Sequence, residues 1–251
     1  MGSPRTGLSS IYHALTQHPS LQVICSGDDG YFADDSRFAN GTPPAHLYNQ
    51  QYKQFSENII RGEISSGYLM HPFAISRMQR YNPGIKLIII LRNPAMRTYS
   101  HWHKAIKAGI EERSFAQVVE DARESYVSSD HTMLLNYIGN SLYSSHISHV
   151  QQYFDTHQIL YLLSDELKED THVALYRICQ FIGVHYMEVD TTAQNIGSYP
   201  QHIQPKEYND LSAVHREDIK NVEKLTGLNC KEWLTKMPAQ AQDAHSPKMM
   251  I

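Results

Sequence analysis

Two short runs in this chain are apolar at nearly every position, residues 86–91 (KLIIIL) and 158–163 (QILYLL). A strand with one wet face alternates apolar and polar residues, whereas a strand covered on both faces reads as an unbroken aliphatic run. Both runs therefore predict buried strands of a parallel sheet, and a shorter strand is predicted at 22–25. Helical spacing and helix signals predict helices over 9–18, 52–61, 75–81, 115–122, 142–154, 171–182 and within 207–225, with a short extended stretch at 66–70. Pro19 closes the first helix, Asn82-Pro83-Gly84 marks a turn, and Gly183 caps the helix at 171–182. Asn93-Pro94 supplies an N-cap followed by proline at the first helical position, so a helix begins directly after the 86–91 strand. Strands alternating with helices imply an α/β fold, a parallel sheet with helices on both faces.

Residues 26–50 are rich in Asp, Gly, Ser, Asn and Pro and read as loop; an irregular segment that long suits a substrate-binding role. The length of 251 residues suits a single domain, taken as residues 1–239 with a frayed tail at 240–251. With 41% hydrophobic residues a full core is available, yet no apolar run approaches the 18 or so residues of a membrane span. A net charge of −4 excludes a general nucleic-acid footprint, leaving room only for a local basic pocket. Cys25, Cys179 and Cys230 are odd in number and widely spaced, which favours reduced thiols and a cytoplasmic setting.

The candidate chemistry starts at the first residues. Gly2-Ser-Pro-Arg-Thr-Gly-Leu-Ser-Ser10 resembles a phosphate-binding loop of the form G-x-x-x-x-G-K-[ST], with Gly2 and Gly7 at the glycine positions and Ser9 at the hydroxyl position. Leu8 stands where the lysine belongs, and the cation has moved to Arg5. That argues against ATP hydrolysis and for another phosphorylated donor. Such a loop ordinarily follows a central buried strand, and only Met1 precedes Gly2, so a shortened start is expected. Further along, Arg92 sits at the carboxyl end of the 86–91 strand, where open α/β sheets bind ligands. Ser100 lies eight residues on, about two helical turns away, so both residues can face an anion near the helix N-terminus. Together with the glycine loop, this describes a ligand carrying two separate phosphates.

At this point the chain resembles the sulfotransferases that use 3′-phosphoadenosine 5′-phosphosulfate (PAPS), closest to their bacterial and Golgi-type branches. The loop at 2–10 is similar to their 5′-phosphosulfate motif, and Leu91-Arg-Asn-Pro-Ala-Met-Arg-Thr-Tyr-Ser100-His is similar to their 3′-phosphate motif. Further similarity runs through Gly62-Glu63 to Tyr68, Asn140-Ser-Leu-Tyr143 and Asp165-Glu-Leu167, over roughly residues 1–235. The resemblance implies that Arg5 contacts the 5′-phosphate and sulfonyl oxygens. It implies that Thr6, Gly7, Leu8, Ser9 and Ser10 supply backbone and hydroxyl hydrogen bonds, and that Arg92 and Ser100 hold the 3′-phosphate. In-line sulfonyl transfer then depends on positioning and charge stabilisation, with no metal expected.

An acceptor hydroxyl or amine needs a general base. The stretch that matches the family's Lys-Glu-Pro-x-x-Phe-like segment is Gly27-Asp28-Asp29-Gly30-Tyr31-Phe32, which makes Asp28 the first candidate and Asp29 the second. An Asx turn beside glycines is the competing reading. His71 is a further candidate, because some sulfotransferases use histidine. The family's lysine after Gly62-Glu63 is replaced by Ile64, and Asn195-Ile-Gly-Ser-Tyr-Pro200 occupies the region of its late lysine-glycine loop. His101-Trp-His103 and His146-x-x-His149 lack a third ligand at metal-site spacing. The expected partner is a small-molecule or carbohydrate acceptor. A P-loop kinase of a metabolite, or a non-catalytic nucleotide-binding relative, are the alternatives.

Overall fold

The computed structural model describes residues 1–27, 30–53, 58–128, 137–191 and 202–238, without the side chains of 125–128. In chain order they form α1 (Leu8–Leu15), β1 (Leu21–Gly27), the short helices α2 (Asp35–Phe38) and α3 (Ala45–Asn49), β2 (Ile60–Ser65), α4 (Ala74–Tyr81), β3 (Leu87–Leu91) and α5 (Pro94–Lys107). There follow α6 (Phe115–Ser128), α7 (Tyr143–Gln151), β4 (Ile159–Leu163), α8 (Ser164–Glu169), α9 (Thr171–Ile182), α10 (Pro205–Val214), α11 (Arg216–Thr226) and α12 (Glu232–Thr235).

All strand pairing among the described residues is parallel: β1 with β2 and β3 with β4, the latter in register from Leu87 opposite Ile159 to Leu91 opposite Leu163. Side-chain alternation sends the two faces of β3 into different cores. Leu87, Ile89 and Leu91 join Ile147 and Val150 of α7, while Ile90 joins Leu162, Ile11, Leu15 and Ile178. Ile64 of β2 belongs to that second cluster, which carries the core across both strand pairs. Each fully buried Ile or Leu contributes roughly 1.5–3 kcal/mol. The aliphatic runs thus encode a sheet covered by helices on both faces. The first residues lie beside β3: Met1 accepts a hydrogen bond from the Ile90 amide (3.0 Å), its ammonium donates to the Ile88 carbonyl (2.5 Å), and Gly2 bridges to Ile90 in parallel.

Two segments differ from expectation. No described residue of the helix expected over 52–61 is helical: Tyr52, Lys53, Asn58 and Ile59 are irregular, residues 54–57 lie outside the described residues, and β2 starts at Ile60; the extended stretch expected at 66–70 is the turn after that strand. Pairing with β1, from Leu21 opposite Ile60 onward, overrides a local sequence with only weak preference. Residues 30–50 are also more ordered than their composition suggests. They fold Tyr31, Phe32, Phe38 and Tyr48 into edge and tilted ring contacts with Tyr68 and Tyr81, at centroid distances of 4.9–6.4 Å.

Candidate functional site

The loop at 2–10 and the start of α5 meet. The Arg5 guanidinium donates from Nε to Ser100 Oγ (2.9 Å), and Arg92 Nη1 donates to the Arg5 carbonyl (2.8 Å). The two halves expected from sequence therefore form one constellation. Arg92 Nε is buried and has no partner, so the guanidinium keeps a donor directed into protein without an acceptor.

The loop owes its shape to a few specific residues. A Cβ on Gly2 would stand 2.6 Å from the Ile90 carbonyl oxygen, so only glycine allows this approach to β3. Thr6 Oγ1 donates to the Ser3 carbonyl (2.9 Å) and Ser3 Oγ to the Asn140 carbonyl (3.0 Å), both side chains being fully buried. Thr6 therefore spends its hydroxyl on the loop itself. Leu8 packs on the aliphatic core beneath α1, which leaves its backbone N–H as the group it can offer a ligand. Gly7, in the left-handed region at φ 95°, starts α1, and no side chain caps that helix. The amides of Leu8 and Ser9 thus lie in an uncapped first turn, the kind of terminus that receives anions, while the Ser10 amide donates to the Gly7 carbonyl (3.2 Å). Arg5 itself has φ 77°, a conformation non-glycine residues adopt at a cost.

On the other side, Asn93 Oδ1 caps α5 by accepting from the Met96 amide (3.2 Å), its amide group donates to Tyr208 (2.9 Å), and Tyr143 donates to the Arg92 carbonyl (3.0 Å). Sequence reasoning missed Arg97, one turn beyond. This residue is fully buried, donating to Ser141 Oγ (2.5 Å) and the Tyr137 carbonyl and meeting His101 Nδ1 at 3.3 Å. These partners are all uncharged when His101 is neutral, and burial pushes the guanidinium down to about 10, opposed by Tyr143 and assisted by Arg92. Burial first, then Lys107 and Arg5, also lower the imidazole of His103. A field of positive charge thus converges on the loop.

The acceptor-side candidates fare differently. Asp28 and Asp29 lie outside the described residues. His71 accepts from the Phe73 amide at Nδ1 (3.2 Å), which puts its proton on Nε2, 3.4 Å from Asp35 Oδ1. In that state neither ring nitrogen is left to accept a substrate proton. Asp35 is also paired with Arg77 at 2.6 Å. Glu63 of β2, to which sequence reasoning assigned no role, gathers hydrogen bonds from Ser26, Tyr31 and Tyr48. Its signal was its place in the Gly62-Glu63 to Tyr68 stretch. Among the described residues, no group of three or more His, Cys, Asp or Glu side chains converges as a metal site.

The family model described as "Sulfotransferase domain" matches residues 38–244, well over half of the chain, beginning after the 2–10 loop. Over 196 residues the chain is 24% identical to the bifunctional heparan sulfate N-deacetylase/N-sulfotransferase 1 of Caenorhabditis elegans, covering 76% of this chain and 22% of that protein. Over 107 residues it is 26% identical to the membrane-associated sulfotransferase kil1 of Dictyostelium discoideum, covering 43% of this chain and 22% of that one. The chain thus spans about a fifth of the length of these relatives. In fold it is similar to the crystal structure of a sulfotransferase from Alicyclobacillus acidocaldarius, with a TM-score of 0.76 at 22% identity over 93% of this chain and 96% of that one. Because that match covers well over half of the chain, the chain belongs to the sulfotransferase family.

Proposed function

We propose that this chain transfers a sulfonyl group from PAPS to a hydroxyl or amine of a small molecule or glycan. The observation that carries the proposal is the junction of Arg5, Ser100 and Arg92, with the Arg92 Nε buried and unpartnered. Two arginines meeting over an uncapped helix start suit a ligand with two anionic groups. PAPS supplies the activated sulfonyl group. Arg92 and Ser100 hold its 3′-phosphate, and backbone amides and hydroxyls of residues 6–10 hold its 5′-phosphate. Arg5 neutralises charge that develops at the leaving oxygen, a role preorganised by its bond to Ser100.

The kinase alternative is not favoured, because the family match is to sulfotransferases and Leu8 turns its side chain into the core. The name of the C. elegans relative, a heparan sulfate N-deacetylase/N-sulfotransferase, supports a glycan acceptor, whereas that of the D. discoideum relative names no acceptor. Asp28 is the proposed base, with Asp29 next; His71, bonded at Nδ1 and facing Asp35 at Nε2, is third. Residues 1–239 are proposed as one domain. The free thiols Cys179 and Cys230, both buried, support a cytoplasmic setting, and no described helix is long and apolar enough to cross a membrane.

The test is calorimetric titration with 3′-phosphoadenosine 5′-phosphate (PAP), followed by transfer of labelled sulfonate from PAPS to a panel containing 2-naphthol and N-desulfated heparin. Micromolar or tighter PAP binding with label transfer is expected. Absence of PAP binding overturns the proposal.

A further inference from the structure

We infer that Glu63 is a positioning residue that sets the acceptor-side wall of the site, and that it is not itself the proton acceptor; this rests on the sulfotransferase reading of residues 26–52. The register between β1 and β2 shifts between Cys25 and Gly27, where Cys25 opposes Ile64 and Gly27 opposes Ser65. Ser26 is therefore the extra residue of a bulge, a device that re-aims a side chain. Its hydroxyl donates to Glu63 Oε1. The same oxygen receives the Tyr31 amide (3.4 Å), and Oε2 receives the Tyr48 hydroxyl (3.0 Å), which also meets the Tyr52 hydroxyl at 2.9 Å.

Neighbouring bonds complete the clamp. The Ser66 amide donates to the Gly27 carbonyl (2.9 Å), and the Phe32 amide donates to the Tyr68 hydroxyl (3.2 Å). Tyr68 lies so close to Gly30 that a Cβ there would stand 2.4 Å from its ring. The flanks of the segment that carries Asp28, at Ser26–Gly27 and Gly30–Phe32, are thus tied to β2 and the turn behind it. Tyr48 ties in the far end of the same wall, 15 residues from Glu63 in sequence.

The number of donors decides the role. A carboxylate has about four lone-pair sites, and a general base must aim a vacant one at the substrate. Glu63 receives three donors across both oxygens, so three of its roughly four acceptor sites serve the wall. Burial, and after it the Glu63 charge, raise the hydroxyl pKa values of Tyr48 and Tyr68, which keeps both as donors.

The test needs no knowledge of the natural acceptor. Turnover of PAPS with water as the acceptor is measured for the parent chain, Glu63→Gln and Tyr48→Phe, together with PAP affinity. Glutamine keeps one carbonyl oxygen and turns an NH2 group against a donor. We expect Glu63→Gln to lower kcat roughly 10- to 100-fold, as misplacement of reacting groups by about 1 Å does. The KM for PAPS and the Kd for PAP stay within about twofold, because the nucleotide wall is untouched, and the acid limb of the pH–rate profile persists. Tyr48→Phe removes one donor and moves kcat the same way by less. An unchanged kcat overturns the inference, as does a parallel change of kcat and KM. Loss of the acid limb in Glu63→Gln also overturns it, making Glu63 the base. Failure of the parent chain to bind PAP is a separate outcome and sinks the sulfotransferase reading instead.

Discussion

The two walls proposed for the site handle charge in opposite ways. On the nucleotide wall, Arg5 and Arg92 engage a hydroxyl and a carbonyl, Arg92 Nε has no partner, and the buried Arg97 behind them is held by Ser141, the Tyr137 carbonyl and His101. On the acceptor wall, Glu63 is satisfied by a serine, a backbone amide and a tyrosine, while Arg37 and Arg77 are closed onto Asp34 and Asp35 at 2.7 and 2.6 Å. Desolvated charge without a counter-ion is expensive to fold around. It becomes favourable when a ligand brings the missing anion. On the proposed function, the first wall serves binding and the second holds a shape.

The strongest way to break this contrast is at Arg5. Its φ of 77° is strained for arginine and ordinary for glycine. Arg5→Gly should therefore keep its stability within about 1 kcal/mol, the lost bond to Ser100 being offset by relief of backbone strain. Turnover of PAPS should fall by about 10²–10³, the usual effect of removing one preorganised donor. A melting curve and a turnover assay on the same sample check both halves. If stability and turnover collapse together, Arg5 is a structural residue and the binding wall has been misread.

Arg92→Ala comes next. The substitution removes the bond to the Arg5 carbonyl and, among the described residues, the one guanidinium with an unpartnered buried donor. Hydrogen bonds to charged groups contribute about 1.5–3 kcal/mol, so PAP affinity should weaken roughly 10- to 100-fold in calorimetric titration. A similar loss on the acceptor wall, from Arg77→Ala, would erase the distinction between the two walls.

The walls also differ in how far they can be read from sequence, for a physical reason. The proposed nucleotide wall is written in two contiguous stretches, 2–10 and 91–100, whose loop and helix start follow from local rules. Glycines mark the tight loop, Asn93-Pro94 starts α5, and the LIII run of the preceding strand announces burial on both faces. The acceptor wall depends on contacts 15 to 37 residues apart, from Glu63 to Tyr48, Tyr31 and Ser26. Its strand, Ile60–Ser65, has Arg61, Gly62 and Glu63 in the middle and becomes a strand only by pairing with β1. Arg97 was hidden for a related reason. Nothing local distinguishes a buried arginine from a surface one until the segment at 137–141 folds over it.

The cost of keeping positive charge inside the nucleotide wall can be read through pH. His215 is fully buried beside Arg97, with both ring nitrogens unpartnered, and burial followed by the Arg97 charge pushes its imidazole down to about 3. A histidine whose folded value lies below its unfolded 6.5 favours folding fully above that value, and the contribution declines as pH falls toward 3. Between pH 6.5 and 5, stability should drop by roughly 2 kcal/mol from this group, at about 1.4 kcal/mol per pH unit. His215→Leu should flatten that part of the pH–stability curve in denaturant titrations. An unchanged slope would mean that the interior beside Arg97 tolerates a second cation, contrary to the contrast between the walls.

The smallest effect is the most discriminating. Ser100 is fully buried and receives the Arg5 Nε, so Ser100→Ala deletes one hydroxyl without a charge change. If the hydroxyl only steadies Arg5, turnover falls a few-fold and PAP affinity stays put. If it also reaches the 3′-phosphate, as the joined geometry of Arg5, Arg92 and Ser100 implies, PAP affinity falls about three- to tenfold, the size of one hydrogen bond. A double-mutant cycle with Arg92→Ala separates the two, because partners on one phosphate couple by about 0.5 kcal/mol or more, whereas independent sites add. Coupling in PAP binding would make the loop and α5 one anion site; strict additivity would leave them as two neighbours.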